Sequence, residues 1–183
     1  MPFYVAFMHT PNPKILEINS RPGDPEIQCL LPVLEDDFVE VCFKILDEKL
    51  TNIKFSPRAT CTIYKVPPTY AGKQEKAAYD IKVDFSRVSK IIKNCGGRMK
   101  VYPGDVEVRD GLTYARTSRT VCVVGIGENI QEARDISLEG IGAIEGGSLW
   151  YRNDIASAEH IQKSIDHMKQ LRRKPSSFTV LSS

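Results

Sequence analysis

The amino-acid sequence predicts an α+β fold, in which short strands and helices are mixed. Two apolar runs, residues 3–8 and 15–18, are separated by a proline-rich turn and indicate a hairpin near the start. Short strand-like runs then cluster between residues 59 and 125, where Asp110 and Gly111 mark a tight hairpin turn. Apolar residues at helical spacing predict helices on both sides of this cluster.

The pattern of the chain changes after residue 50, where helical spacing gives way to short strands separated by Pro and Gly turns. We therefore predict two units and a tail. Residues 1–52 form a hairpin followed by helices, residues 53–173 form a small β-rich α+β domain, and residues 174–183 are a disordered tail.

Local signals predict where the helices begin and end. A short helix over residues 26–31 should stop near Pro32. A second should begin at a capping box of Asp37 and Glu40, pack against the core and end near Leu50. The other predicted elements are strands at 59–66, 83–85, 98–102, 106–108, 112–115 and 120–125, and helices at 129–144 and 157–172, the first of these with Ile130, Ala133, Ile136, Gly140, Ile141 and Ile144 toward the core.

The candidate metal-binding and anion-binding residues are concentrated in residues 15–26, where a predicted strand leads into a turn. Residues two apart on a strand point to the same face, so Glu17, Asn19 and, if the extended path continues, Arg21 share one face. Carboxylate and amide oxygens are ligands that Mg²⁺ accepts, and a guanidinium binds phosphate through paired hydrogen bonds. By spacing alone, a solvated edge strand is the simpler interpretation, because short motifs match by chance.

The same stretch continues into a predicted helix start. Asp24 occupies the position of an N-cap, and Pro25 that of the first helical residue. Helix N-termini present free N–H groups and partial positive charge to anions, so this turn is a candidate anion site. The alternative interpretation is an ordinary capped helix.

These residues resemble the end of the catalytic domain of ATP-grasp ligases, and more narrowly the phosphoribosylamine–glycine ligase family. That family carries the run E-x-N-x-R-x-G-D-P-E, and its specified positions are matched here by Glu17, Asn19, Arg21, Gly23, Asp24, Pro25 and Glu26. In the family, the Glu and Asn coordinate Mg²⁺ on the ATP phosphates, the Arg faces the transferred phosphate, and the G-D-P-E turn lines the substrate side.

The resemblance therefore implies roles for these positions. Glu17 and Asn19 would bind Mg²⁺ or Mn²⁺, and Arg21 would be catalytic. It also implies ATP-dependent joining of glycine to phosphoribosylamine, in purine biosynthesis, through glycyl phosphate. ATP is a substrate of that reaction, and no side-chain nucleophile is needed. The substrate-binding turn would be formed by Gly23, Asp24, Pro25 and Glu26.

Residues 53–173 resemble the carboxy-terminal domain of the family more loosely. Residues 121–125, followed by a helix with Ala133 and Arg134, are similar to its strand-then-helix unit, and residues 149–155 are similar to its F-x-R-x-D-I-G end. The departures are Thr117-Ser118-Arg119 in place of Gly-Gly-Arg, Pro67-Pro68-Thr69-Tyr70 in place of a Gly-Tyr-Pro-type segment, and Ala156 in place of glycine.

The amino-terminal domain and the ATP-binding lid of the family have no counterpart in this sequence, and there is no G-x-x-x-x-G-K-[ST] loop. We therefore expect the isolated chain to be inactive, either as part of a split enzyme or as a truncated product. Its hairpin should expose apolar surface, and the chain should self-associate or bind a chain that carries the missing lobes. The alternative is a non-catalytic ATP-grasp remnant that serves as a binding or assembly module.

Composition argues against several classes of partner. The 25 basic and 23 acidic residues give a net charge of +2, which favours neither nucleic acid nor a membrane surface. With no apolar run of membrane-spanning length and no signal-peptide pattern, we expect a cytoplasmic location. Five cysteines without a C-x-x-C pair favour free thiols, of which Cys42, Cys61 and Cys122 should be buried.

Two other function classes have weaker support. A biotinyl or lipoyl carrier needs its lysine at an exposed tight turn, whereas Lys100 lies within a predicted strand. A hydrolase would need a nucleophile or a carboxylate pair near His9, His160 or His167, and the spacing supplies neither. Exposed histidines are the better interpretation.

Overall fold

The computed structural model describes residues 3–10, 12–71 and 80–173, and the predicted tail at 174–183 lies outside these residues. The described part has the α+β architecture that the sequence predicts, with nine β-strands and five α-helices. All strand pairs in it are antiparallel. In chain order the elements are β1 (Tyr4–Met8), β2 (Lys14–Asn19), α1 (Glu26–Leu30), α2 (Phe38–Leu46), β3 (Ala59–Val66), β4 (Ile81–Val83), α3 (Ser86–Asn94), β5 (Met99–Pro103), β6 (Val106–Arg109), β7 (Leu112–Ala115), β8 (Val121–Gly127), α4 (Ile130–Gly142), β9 (Trp150–Tyr151) and α5 (Ala158–Arg173).

The core is built on a four-stranded sheet in the order β5-β8-β3-β9. All seven residues of β8 are buried, as its unbroken apolar and glycine sequence requires. α4 packs against β8 and β3, so one face of this helix and one face of the sheet are removed from water together. The buried cluster consists of Cys61, Ile63, Ile81, Val83, Val88, Met99, Ala115, Val121, Val123, Ala133, Ile141, Ala143, Ile144 and Leu149.

The contact between α4 and β8 depends on a glycine. A Cβ atom on Gly125 would lie 2.0 Å from the carbonyl oxygen of Ala133, so the helix backbone lies directly against the strand. The hydroxyl of Ser137 accepts from the Gly125 N–H at 2.6 Å and donates to the Cys61 carbonyl at 2.6 Å. Any side chain at position 125 would therefore push helix and strand apart.

Three further strands form a second sheet in the order β4-β7-β6. Asp110 and Gly111 connect β6 to β7 with φ angles of 51° and 73°, which confirms the predicted hairpin. Two backbone hydrogen bonds between Asp84 and Glu145, of 2.8 and 3.1 Å, link the end of β4 to the chain just after α4. This bridge connects the second sheet to the helix that covers the first.

A lysine that the sequence analysis did not single out lies in the core. Lys65 is only 7% exposed, and its ammonium donates to the carbonyl of Ile141 at 3.1 Å and to the carbonyl of Ile144. These carbonyls lie at the C-terminal end of α4, where backbone acceptors lack intrahelical partners. Burial lowers the pKa of Lys65, whose ammonium also lies 5.5 Å from the centre of the Tyr151 ring.

Replacing Lys65 by methionine should lower the free energy of unfolding by about 1–3 kcal/mol, because buried carbonyls lose their donor. Methionine keeps the length of the apolar stem, so the loss reports on the ammonium group rather than on packing. Urea denaturation measures the difference, with Lys100→Met, an exposed lysine on β5, as the matched control. An unchanged midpoint for Lys65→Met would contradict this role.

Residues 3–55 are called the first segment below, and residues 59–173 the second segment. In the first segment, β1 and β2 form a two-stranded sheet, as the sequence predicts. Phe7, Ile15 and Ile18 on this hairpin are each at least 57% exposed. The prediction that the hairpin exposes apolar surface is therefore confirmed.

The helices of the first segment follow the predicted signals in part. α1 gives way to a short 3₁₀ turn at the predicted proline, and Asp37 caps α2 by accepting two backbone N–H groups. α2 ends at Leu46 rather than near Leu50, because Glu48 adopts a left-handed φ of 58°. Of the predicted core packing, Val41 is buried, whereas Leu46 is exposed.

The two segments meet at β3. The side chains on one face of this strand lie under α4, while those on the other face contact α1. Thr60 donates to the carbonyl of Cys29 at 3.1 Å, the hydroxyl of Thr62 lies 2.9 Å from the Cys29 sulfur, and Gln28 donates to the hydroxyl of Tyr64 at 3.1 Å. One strand thus carries both the core and the interface, and the division after residue 52 stays a prediction.

Two further predictions concern burial. Ile130 was expected to face the core but is exposed, because it is the first residue of α4. All five cysteines are free thiols, as predicted; Cys61 and Cys122 are buried, and Cys42 is only partly so. Within the described ranges, no helix has both the length and the apolar character that crossing a membrane requires.

Candidate functional site

The predicted metal ligands lie side by side on β2. Glu17 is opposite Ala6 and Asn19 is opposite Tyr4 in the β1–β2 register, which places both side chains on one face of the hairpin. The amide of Asn19 donates to the Glu17 carboxylate at 3.0 Å. The structure therefore brings together the two side chains that the sequence singled out.

Arg21 is carried by the turn that follows this strand. Because β2 ends at Asn19, the extended path does not reach Arg21. Its guanidinium donates to the carbonyl of Pro22 at 2.9 Å and remains exposed. This exposed guanidinium lies two residues beyond the carboxamide and four beyond the carboxylate, and its remaining donors stay available for a phosphate group.

The donor set at β2 fits a metal that arrives with other ligands. In the part of the chain that the structure describes, no group of three or more His, Cys, Asp and Glu side chains could hold a metal ion. Glu17 and Asn19 supply carboxylate and amide oxygens, which suit Mg²⁺ or Mn²⁺. Magnesium in particular is often held by one or two protein oxygens together with substrate phosphates and water.

The interpretation of Asp24 as a helix cap is wrong. Pro25 occupies the position before α1, and no side chain caps this five-residue helix. The carboxylate of Asp24 instead accepts from the hydroxyl of Tyr64 at 2.8 Å and from Gln28 at 3.2 Å, and it forms an ion pair of 3.0 Å with Arg119. With its carboxylate engaged by the second segment, Asp24 leaves the start of α1 uncapped.

The other residues of the turn are fixed against β1. Tyr4 donates to the Glu26 carboxylate at 3.3 Å, and the charge on Glu26 raises the pKa of Tyr4. A Cβ atom on Gly23 would lie 2.4 Å from that carboxylate and 2.8 Å from the Tyr4 ring. Glycine at position 23 therefore lets the turn approach the strand closely.

A polar cleft of about 450 Å³ opens where the turn meets the second segment. At its wall, Arg119 donates to the hydroxyl of Tyr70 at 2.8 Å and to the carbonyl of Asp24 at 3.1 Å. The guanidinium also lies 5.2 Å from the centre of the Tyr64 ring. The cleft is lined by Arg21, Asp24, Tyr64, Tyr70, Gly104, Asp105, Ser118 and Arg119.

Sequence reasoning missed this link between the segments. The available signal was the position of Arg119, which matches the arginine of the Gly-Gly-Arg run in the resemblance described above. Spacing could not show that its partner is Asp24, because the two residues are 95 positions apart.

The loop before α5 is held by its own charged groups. Arg152 forms two hydrogen bonds with the Asp154 carboxylate, of 2.9 and 2.6 Å, and Arg134 donates to the carbonyl of Asn153 at 2.6 Å. His160, expected to be solvated, lies with its Nδ1 3.5 Å from the Asp154 carboxylate. The Arg152 guanidinium is the main cause that lowers the pKa of Asp154 to about 2.

Replacing Arg152 by methionine should return the pKa of Asp154 toward its ordinary value of 3.8. In the wild type the folded pKa lies below the unfolded one, so the pair stabilises the fold above pH 3.8 and ceases to do so as the pH falls through about 2. Carbon-detected NMR titration of the carboxyl group measures the shift. Arg116→Met, which removes a guanidinium near Asp105, is the control that should leave Asp154 unchanged.

Comparison with known proteins identifies the relationship. The chain is 37% identical over 162 residues, 87% of its length, to a phosphoribosylamine–glycine ligase from Methanosarcina acetivorans. By sequence, the chain matches the carboxy-terminal part of phosphoribosylamine–glycine ligases. A ligase of the same name from Methanocaldococcus jannaschii is 38% identical over 173 residues, which is 93% of this chain. No family model matches.

The match covers only part of the length of the relatives. The chain spans about a third of the length of these ligases, 34% of the first and 37% of the second. Among solved structures, the phosphoribosylamine–glycine ligase from Thermotoga maritima superposes with a TM-score of 0.62 over 84% of this chain and 36% of that one. The sequence identity in that comparison is 20%, so it supports the fold alone.

Proposed function

We propose that this chain is the carboxy-terminal part of an ATP-dependent phosphoribosylamine–glycine ligase that acts in purine biosynthesis. The observation that carries the proposal is the contact between Glu17 and Asn19 on β2, in a chain whose matched relatives are named for this reaction. We expect the reaction to take place in the cytoplasm, consistent with five free thiols.

The proposed reaction has two steps. The glycine carboxylate attacks the γ-phosphorus of ATP, which forms the O–P bond of glycyl phosphate and breaks the bond to ADP. The amine of phosphoribosylamine then attacks the glycyl carbonyl carbon, phosphate leaves, and the nitrogen loses a proton to give the amide. Neither step needs a nucleophilic side chain, so catalysis rests on positioning and charge stabilisation.

The residues of β2 and of the turn that follows it have proposed roles. Glu17 and Asn19 would hold Mg²⁺ or Mn²⁺, which when bound neutralises charge on the ATP phosphates. Arg21 would donate to the oxygens of the transferred phosphoryl group and offset their negative charge in the transition state. The substrate side is assigned to the turn of Gly23, Asp24, Pro25 and Glu26, which Tyr4 and Arg119 hold in place.

The first segment is the proposed docking surface for the other regions of the ligase. Fourteen of the twenty exposed large apolar side chains of the described residues lie in the first segment. An apolar cleft of about 230 Å³ between β1, α1 and α2 adds to this surface. Because exposed apolar surface of this extent favours association, we expect the first segment to bind the missing lobes and, without them, to self-associate.

A chimera tests the proposal directly. This chain would replace the matched carboxy-terminal part of the Methanosarcina acetivorans ligase, and ATP hydrolysis dependent on glycine and phosphoribosylamine would be measured with Mg²⁺. Activity in the chimera but not in the isolated chain would support a ligase part. A folded but inactive chimera would favour the alternative, a non-catalytic remnant that serves in assembly.

Sedimentation tests the partner proposal separately. The chain alone should form concentration-dependent oligomers, and adding the amino-terminal two thirds of the same ligase should replace them with a complex of one chain each. The proposed docking through the first segment would be contradicted if the chain stayed monomeric at high concentration and formed no complex with the added amino-terminal part.

A further inference from the structure

The contacts of Arg119 connect the second segment to the turn that carries Arg21. The guanidinium reaches three groups at once: the Asp24 carboxylate at 3.0 Å, the Asp24 carbonyl at 3.1 Å and the Tyr70 hydroxyl at 2.8 Å. A planar guanidinium can make such contacts together because its donors are fixed in a fork. Arg119 therefore contacts both the backbone and the side chain of Asp24.

The aromatic residues around Arg119 restrict it further. Its guanidinium lies over the Tyr64 ring, and the hydroxyl of Tyr64 donates to the same Asp24 carboxylate at 2.8 Å. Arg119 and Tyr64 thus contact the same carboxylate oxygen of Asp24, and Arg119 in turn donates to the hydroxyl of Tyr70. Hydrogen bonds that involve a charged group are stronger than those between neutral groups.

The contacts of Asp24 also restrict the position of Arg21, because the two residues are only three positions apart. The strand that carries Glu17 and Asn19 ends just before the turn, and the Arg21 side chain lines the same cleft as Arg119. Tyr4 holds the far end of the turn through Glu26, and the contacts of Asp24 with Arg119 and Tyr64 hold the end nearer to Arg21.

We propose that Arg119 is a positioning residue that holds the Asp24 turn against the second segment and thereby sets the place of Arg21. The link to Arg21 as the phosphate-binding group rests on the proposed function; the anchoring of the turn does not. On this view the Asp24 carboxylate contributes to the site by holding the turn in place through Arg119 and Tyr64.

Hydrogen–deuterium exchange measured by mass spectrometry tests the anchoring on the full chain. Arg119→Met should speed exchange in peptides covering residues 19–28 by about tenfold or more, while peptides from β8 keep the wild-type rate. Arg116→Met is the matched control, because this exposed arginine of the same loop pairs with Asp105 and not with Asp24. If Arg119→Met lowered only the global stability, exchange would also become faster in the peptides from β8.

Two milder variants keep the test decisive if Arg119→Met fails to fold. Tyr70→Phe removes only the hydroxyl that accepts from Arg119, and Arg119→Lys keeps the charge but cannot make all three contacts. Both should give a smaller, local increase at residues 19–28. Unchanged exchange there in folded variants, or an equal rise in β8, would overturn the proposal.

The chimera supplies the functional readout. Arg119→Met should lower kcat by about tenfold with little change in the KM for ATP, because a misplaced Arg21 loses contacts that form chiefly in the transition state. A rise in KM at constant kcat would overturn the positioning role. If every chimera is inactive, the proposed function fails, while the exchange experiment still decides whether Arg119 anchors the turn.

Discussion

Replacing Glu17 by alanine in the active chimera should lower kcat by about 10²–10³-fold, the loss expected when a group that stabilises transferred charge is removed. Glu17 lies with Asn19 on the exposed face of β2, and its carboxylate supplies the only formal negative charge of that pair. Because alanine removes the proposed metal-binding oxygens from an exposed side chain and leaves no cavity in the core, the stability of the fold should not change.

The dependence on metal concentration separates this role from a general defect. Glu17→Gln keeps an oxygen ligand but loses the charge, so we expect an intermediate rate and a higher Mg²⁺ concentration at half-maximal activity. Steady-state kinetics over a range of Mg²⁺ measures both effects. Glu107→Ala, an exposed strand carboxylate on β6, is the control and should behave as wild type. Wild-type kinetics in Glu17→Ala would contradict a metal-binding role for this face of β2.

Replacing Gly125 by alanine should lower the free energy of unfolding by about 3 kcal/mol or more, the upper end of overpacking costs. The added Cβ would lie 2.0 Å from the Ala133 carbonyl and 2.8 Å from the backbone nitrogen and the hydroxyl oxygen of Ser137. Backbone atoms of a packed helix cannot move aside as a flexible side chain can. α4 would have to shift as a body, which disturbs the core on both sides.

Thermal unfolding followed by circular dichroism measures this effect. For a domain of this size, 3 kcal/mol corresponds to a fall in Tm of about 6–12 °C. The matched control is Gly142→Ala at the end of α4, where a Cβ would meet only the Tyr151 hydroxyl at 3.6 Å. That change should be neutral or stabilise by up to about 1 kcal/mol, since alanine favours helix more than glycine does. Equal Tm values for the two variants would contradict the close approach.

The features that the sequence predicted well are those with local causes. The bounds of β3 and the hairpin at Asp110 and Gly111 follow from alternation and turn chemistry within a few residues. The contact between Glu17 and Asn19 is equally local, because the strand period alone puts the two side chains together.

The features that the sequence did not predict depend on distant partners. Asp24 is a residue type that favours N-caps, but its carboxylate instead pairs with Arg119, 95 positions away, and accepts from Tyr64. Lys65 is a charged residue on the same face of β3 as Cys61 and Ile63, and it can be buried there because the end of α4, 76 positions away, offers it carbonyl acceptors. Local sequence propensities do not predict hydrogen-bond partners that are so distant in the sequence.

The two faces of β3 have a consequence for anyone who wishes to move this site to another protein. A fragment cut before β3 would take the Glu17–Asn19 strand with it but would leave behind Thr60, Thr62 and Tyr64, to which α1 and its turn are bonded. The hairpin is therefore not a portable module. The smallest graft that keeps its turn in place must include β3, and β3 in turn needs β8 and α4 to be a strand at all.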